Sequence, residues 1–265
     1  VCADGSVENR KQIMTGKSLS LDLGKDFLSV VANSGGSGCY RVTYSPELMQ
    51  KILDRGLANL SVVERFNLLN DLWCSCRAGN RNINQFINLV QNYREEKEPT
   101  IWESICGYLK TLERMLDQES NQFFAELINE LTAFQIERLG YSHKDSDSGE
   151  DLKVRAVLFD LLGTIGGDKS IVDISREMFF TLEKLDQELV PAVVNVVAYN
   201  GDEEVYERIA ERYKKASTPQ EEMMYLYSLA QFREEKLVQA TIDLCLSREV
   251  RAQNASNLFS YVVAN

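Results

Sequence analysis

The sequence predicts a mostly α-helical fold: an α-α superhelix of antiparallel helix pairs, preceded by a short stretch of β-strand. Before residue 45, apolar and polar residues alternate, and this period of two is typical of strands. From Ser45 onward, apolar residues recur about every 3.6 positions, in successive short runs separated by polar or glycine-containing links. Many short helices in succession favour a HEAT/armadillo-like stack over a four-helix bundle, although no strict sequence repeat is visible.

Three short strands are predicted before the helices. Residues 19–23 alternate Leu with Ser or Asp, Gly24-Lys25-Asp26 is a turn signal, and residues 27–31 form a second apolar run. Residues 33–38 form a loop whose glycines permit positive φ angles, so that residues 39–44 can fold back as a hairpin partner. Three such strands are not stable alone, so we expect them to pack on the helices or on another part of the protein.

Helix starts are marked by capping residues. Ser45-Pro46-Glu47 combines a hydroxyl cap, a proline that needs no amide partner and an acid near the positive end of the helix dipole. Capping-box spacing predicts further starts at Ser61 with Glu64, Thr100 with Glu103, and Thr218 with Glu221. Amphipathic runs predict helices within residues 83–93, 123–139, 152–165, 171–185, 189–198, 205–213 and 237–246. The polar residues 142–151 are predicted to form a mobile loop.

Composition excludes several partners. The chain has 265 residues, 40 acidic against 29 basic, and a formal net charge of -11, and it contains no basic block. Nucleic acid is therefore not an expected partner, because phosphate recognition requires clustered Lys and Arg. No apolar run approaches the roughly 20 residues that span a bilayer, so no membrane insertion is expected. Six scattered cysteines in a large helical chain predict free thiols and favour the cytoplasm.

No catalytic constellation is visible in this sequence. His143 is its one histidine, so a His-Glu-x-x-His site, which needs two, is excluded within the chain. Ser-His-Asp and Cys-His sites would both depend on His143, which lies in a polar loop and is expected to be a solvated side chain. Cys74 and Cys76 lack the second ligand pair that a structural zinc site requires. The acidic clusters lie on faces predicted to be solvated. We therefore expect no catalytic residue, no metal ligand and no cofactor within this chain.

Several segments together resemble one enzyme family. Residues 33–46 read NSGGSGCYRVTYSP, a glycine-rich turn leading into a Gly-aromatic-Tyr-Arg-Val-x-Tyr strand, although Cys39 stands where the family has an aromatic residue. Residues 61–72 carry an Arg, Leu-Leu and Asp in family order, and residues 190–253 follow the family closely. The chain thus resembles the C-terminal helical domain, of the endoplasmic-reticulum-aminopeptidase-like type, of the aminopeptidase N type zinc metallopeptidases.

The resemblance implies a domain layout. It makes residues 1–45 the end of a small β-sandwich domain and residues 46–265 a C-terminal α-helical repeat domain, with further helices after the last residue. It implies zinc and catalysis in the parent protein, with the catalytic domain of the same chain and peptide substrates as partners. The helical domain would cap the active-site chamber. The alternative that the sequence leaves open is a free-standing helical-repeat adaptor that binds a partner protein or peptide.

Two sets of residues are candidates for function. Asn33, Gly38, Tyr40, Arg41 and Tyr44 are expected to be structural, and Arg41 is expected to anchor the junction to the first helices by pairing with an acid. The second set is Arg251 and Gln253, which could hold a peptide carboxylate, since a guanidinium matches a carboxylate in a bidentate fork. The alternative for Arg251 is an ion pair at a helix end.

Overall fold

The computed structural model describes residue 1, residues 6–24 and residues 27–264. Within them it contains twelve α-helices, which confirms the mostly α prediction. Their bounds are α1 Pro46–Asp54, α2 Val62–Arg77, α3 Ile83–Val90, α4 Pro99–Glu113, α5 Gln118–Leu139, α6 Gly149–Gly163, α7 Lys169–Phe179, α8 Val190–Tyr199, α9 Glu203–Lys215, α10 Pro219–Ser228, α11 Glu235–Leu246 and α12 Ala252–Ala264.

The predicted strand remnant is not confirmed. Where residues 1–45 are described, the backbone is extended or turning, with a single bridge residue at Phe27 and no β-strand. A period of two makes a strand only where another strand supplies hydrogen bonds and a core covers the apolar face. Leu19 and Leu21 lack that cover, because each is 46% exposed. The turn predicted at residues 24–26 lies largely outside the described residues.

The chain divides into two compact units, Val1–Tyr93 with α1 to α3 and a second unit from Arg94 onward with α4 to α12. The division does not coincide with the boundary expected after residue 45. The reason is that the junction segment before Ser45 is hydrogen-bonded to α2, through Glu64 and Asp71. The boundary after residue 45 therefore stays a prediction about the whole protein.

Most helix starts follow the capping signals. Ser45 caps α1 and Pro46 opens it, while Ser61 and Glu64 form a complete capping box at α2. Thr218 caps α10 by accepting from the Glu221 amide. The start predicted at Thr100 is wrong: α4 begins at Pro99, because the proline already provides the fixed φ and the missing amide of a first helical position.

In the second unit the even-numbered helices lie side by side. Helix α4 contacts α6, α6 contacts α8, α8 contacts α10, and α10 contacts α12. Helix α5 packs on α6, α7 on α6 and α8, α9 on α8 and α10, and α11 on α12. One layer thus consists of α4, α6, α8, α10 and α12, and the odd-numbered helices pack against it.

The loop between α5 and α6 is held by ion pairs, in contrast to the expected mobility. Arg155 on α6 donates to the carbonyls of Leu139 and Gly140 and to Asp147 Oδ2, the last at 2.7 Å. Its side chain is only 2% exposed and that of Asp147 only 7%. Arg138 on α5 pairs with Asp151 in the first turn of α6. Asp147 of this loop is therefore bound by the buried guanidinium of Arg155, and the start of α6 is tied to α5 by a second ion pair.

This loop should weaken at low pH. Burial alone would raise the pKa of Asp151, but the bonds from Arg138 and Ser148 lower it to about 2. Its stabilising contribution is complete above the unfolded-state pKa of about 3.9. It is lost as the pH falls toward the folded-state pKa of about 2. In urea unfolding, the free energy of unfolding of the wild type should decrease between neutral pH and about pH 2.5. This decrease should be smaller in Asp151→Asn, because the variant lacks the titrating carboxyl group. Asp145→Asn, at an exposed position, is the control, and an equal effect of both variants would contradict the assignment.

Candidate functional site

An open groove lies on the second unit where α8, α10 and α12 meet. Its volume is about 630 Å³ and most of its surface is apolar. The lining residues are Pro191, Asn195, Pro219, Gln220, Met223, Met224, Tyr227, Ser228, Gln231 and Tyr261. A mainly apolar concave surface with a few amides and hydroxyls is the usual composition of a ligand-binding groove.

Helix α12 forms one wall of this groove. The rings of Tyr227 and Tyr261 lie 5.0 Å apart between centroids. Asn257 Nδ2 donates to Tyr227 Oη at 3.4 Å. Gln253, Asn257 and Tyr261 are spaced at four-residue intervals, so they share one face of α12. Of these three residues, Tyr261 lines the groove itself.

Helix α8 connects the groove to a cluster of charges. Pro191, Asn195 and Tyr199 also follow a four-residue spacing and share one face, and Tyr199 lies about 12 Å along the helix axis from Pro191. The guanidinium of Arg233 lies over the Tyr199 ring, 5.0 Å from its centroid. The same guanidinium is 3.3 Å from Glu113 Oε1.

Lys110 and Asp160 continue this cluster on α4 and α6. Lys110 Nζ lies 2.6 Å from Asp160 Oδ2, and both side chains are about four-fifths buried. Burial lowers the pKa of Lys110, but the attraction of Asp160 more than offsets it, so the pKa lies above its usual value and the amine is charged. Burial raises the pKa of the nearby Cys106 thiol to about 12. The cluster is thus a set of ion pairs beside an unreactive thiol, rather than a nucleophilic centre.

The residues proposed for a peptide carboxylate lie next to the groove, outside its lining. Arg251 is 69% exposed and lies 3.6 Å from Glu222 Oε2, the residue before Met223. This is the geometry of the helix-end ion pair that the sequence left as the alternative. Gln253 is exposed on α12.

Four of the five junction residues, Asn33, Gly38, Arg41 and Tyr44, make polar contacts within the first unit. Asn33 has φ 57°, donates to Gly38 O at 3.0 Å and accepts from Gly38 N at 2.7 Å, which closes the loop. Arg41 lies 3.3 Å from Asp71 Oδ1. Tyr44 Oη accepts from Ala32 N at 3.0 Å, whereas the ring of Tyr40 is exposed.

The residues present do not fit a zinc ion. No group of three His, Cys, Asp or Glu side chains within the described ranges is arranged to hold a metal. Cys76 Sγ is directed to Asn82 O at 3.4 Å and Cys74 Sγ to Asn70 Oδ1 at 3.8 Å, so the two thiols have separate partners. His143 is exposed.

Among the described residues, no helix has both the length and the apolar character needed to cross a bilayer.

Comparison with known proteins gives the family. The model of the ERAP1-like C-terminal domain matches residues 29–265. The chain belongs to this family. The match covers both the junction and the helical layer with its groove.

Curated proteins similar to this ERAP1-like domain include several aminopeptidases. Aminopeptidase M1-A of Oryza sativa is 26% identical over 87% of this chain and 28% of its own length. The alanine/arginine aminopeptidase of Saccharomyces cerevisiae is 26% identical over 91% of the chain and 29% of its own length. The puromycin-sensitive aminopeptidase of Caenorhabditis elegans is 24% identical over 87% and 25%. The chain thus spans between a quarter and a third of the length of these relatives.

The groove residues of this ERAP1-like domain were not predicted from the sequence. Met223, Met224 and Tyr227 have the spacing of an ordinary core stripe on a helix. Their partial exposure depends on how α8 and α12 flank α10. The sequence feature that could have indicated a groove is the methionine pair directly after Glu221 and Glu222, because methionine side chains adapt well to varied apolar ligands.

Proposed function

We propose that this chain is the non-catalytic C-terminal helical domain of a zinc-dependent aminopeptidase that removes N-terminal residues from peptides. The domain closes the active-site chamber and helps to admit and position peptide substrates. In the whole protein, residues 1–45 complete a β-sandwich and residues 46–265 form part of a superhelix. The partner of the domain is the catalytic domain of the same protein, which holds the zinc. The free thiols at the five cysteines described favour a cytoplasmic location.

Family membership carries this proposal. The ERAP1-like match covers residues 29–265, and the relatives reported above are aminopeptidases of three to four times the matched length. A chain with one histidine and no metal cluster in its described residues is suited to a supporting role beside a separate zinc domain.

The groove is the surface that we propose to contact peptide. Its apolar lining suits a peptide side chain, and the Tyr199 and Arg233 cluster lies about 12 Å along α8, the length of three to four residues of extended peptide. Gln253 shares the α12 face that includes Tyr261, and Arg251 neighbours the groove through Glu222. Release of Arg251 from Glu222 would free its guanidinium to bind a carboxylate.

The proposal is tested on the protein encoded by the complete gene. Sequence upstream of Val1 is expected to contain His-Glu-x-x-His, and the purified protein is expected to hydrolyse aminoacyl anilides. Chelation should abolish this hydrolysis and added zinc should restore it. A complete protein without the motif and without hydrolysis, yet able to bind a partner peptide, would replace this proposal with the adaptor alternative.

A further inference from the structure

Two carboxylates on α2 hold the junction segment, residues 33–44. Glu64 and Asp71 are seven residues apart, so they share one face of the helix about two turns from each other. Glu64 Oε1 accepts from Ser34 Oγ at 2.8 Å and from the Gly35 amide at 3.0 Å. Asp71 Oδ2 accepts from the Val42 amide at 2.9 Å. The junction is therefore fixed near both of its ends to the same helix.

Between its contacts with Glu64 and Asp71, the junction segment also packs against α2. Gly36 has φ 67°, and a Cβ placed on it would lie 2.3 Å from Val63 Cγ1 and 3.1 Å from Asn67 Nδ2. The backbone thus lies directly on α2, and only glycine fits there. Glu64 also accepts from the Ser61 amide at 2.9 Å. The same carboxylate therefore takes part in the capping box of α2 and binds Ser34 and Gly35 of the junction segment.

The end of the segment is fixed as well. Arg81 donates to Tyr44 O at 2.9 Å, and the Tyr44 hydroxyl meets the backbone of Ala32. Because no strand pairing supports this segment among the described residues, its position depends on these contacts with α2 and with Arg81 in the link between α2 and α3.

We propose that α2 acts as a rigid bracket for the junction, with Glu64 and Asp71 as its positioning residues. Movement of α1 and α2 is then transmitted to the residues that precede Asn33. If the protein opens and closes, the bending occurs outside residues 33–71. This mechanical role in gating rests on the proposed function, whereas the bracket itself is tested without activity.

Hydrogen exchange of the whole protein tests the bracket. The double variant Glu64→Gln and Asp71→Asn keeps the side-chain shapes but replaces one acceptor oxygen in each group by a donor. Within residues 34–42, we expect the amides of Gly35 and Val42 to exchange about tenfold faster or more, because these two donate to the carboxylates and lose a charge-assisted bond. Amides of the buried α2 residues Leu68, Leu69 and Leu72 should change much less, which separates local release from general destabilisation.

A control and a second variant complete the test. Glu47→Gln alters an exposed acid in the first turn of α1 and should leave exchange at residues 34–42 unchanged. Gly36→Ala should accelerate the same amides, because its Cβ has no space against Val63. Unchanged exchange in the double variant, or equal acceleration throughout α2, would overturn the bracket. Wild-type hydrolysis, measured separately, tests the proposed function.

Discussion

Arg155→Met is expected to destabilise the protein by about 3–5 kcal/mol, because it breaks a buried ion pair on one side only. The guanidinium is 2% exposed and bonds Leu139 O, Gly140 O and Asp147 Oδ2. Burial raises the pKa of Asp147, but the Lys144 amide and Arg155 more than offset it, so that its pKa lies below the usual value. Removing Arg155 leaves this carboxylate and two carbonyl oxygens without their cationic partner. Chemical denaturation should show the loss as a lower midpoint at unchanged slope.

The matched control for this prediction is Arg208→Met. Arg208 pairs with Glu204 at 2.7 Å one helical turn away, and the two side chains are 50% and 71% exposed. An exposed pair of this kind contributes less than about 1 kcal/mol. Equal losses in the two variants would show that the loop between α5 and α6 does not depend on the Arg155 ion pairs.

Under the proposed function, Met224→Glu is expected to lower kcat/KM of the complete protein about tenfold or more for peptides of about ten residues. The charge would enter the apolar groove between α8, α10 and α12, where a peptide side chain would otherwise be desolvated. Hydrolysis of a single aminoacyl anilide should be unchanged, since such a substrate has no peptide side chain beyond its first residue to place in the groove. The kinetics of both substrates on the same preparation provide the comparison.

The chain offers a control with the same substitution. Met115 follows α4, is 74% exposed and lies outside the groove lining. Met115→Glu should leave both substrates unaffected. An equal loss for the long peptide and the anilide in Met224→Glu, or no loss for either, would remove the groove from the proposed substrate path.

The helices were predictable from the sequence because their signals are local. Ser45 with Pro46, and Ser61 with Glu64, satisfy open amides within a few residues, so their spacing alone marks where α1 and α2 begin. The start at Thr100 was wrong because two local signals competed, and Pro99 fixes the backbone one residue earlier than the capping spacing indicates.

The strands and the loop depended on distant partners. Leu19 and Leu21 have the right alternation, yet a strand requires a second strand that the period of two does not specify. Polar residues between α5 and α6 indicated mobility, but Asp147 is bound by a guanidinium eight positions further along the chain. The groove is less predictable still, since it combines side chains from three helices. The family, by contrast, was predicted correctly, because many weak local sequence matches together indicated the ERAP1-like C-terminal domain.

The most direct measurement is the release of N-terminal residues from peptides by this chain alone and by the protein of the complete gene, each supplied with zinc. The account predicts zinc-dependent release by the complete protein and none by the isolated chain, because the proposal assigns the zinc site to the catalytic domain of the complete protein. Sustained zinc-dependent hydrolysis by residues 1–265 alone would contradict it.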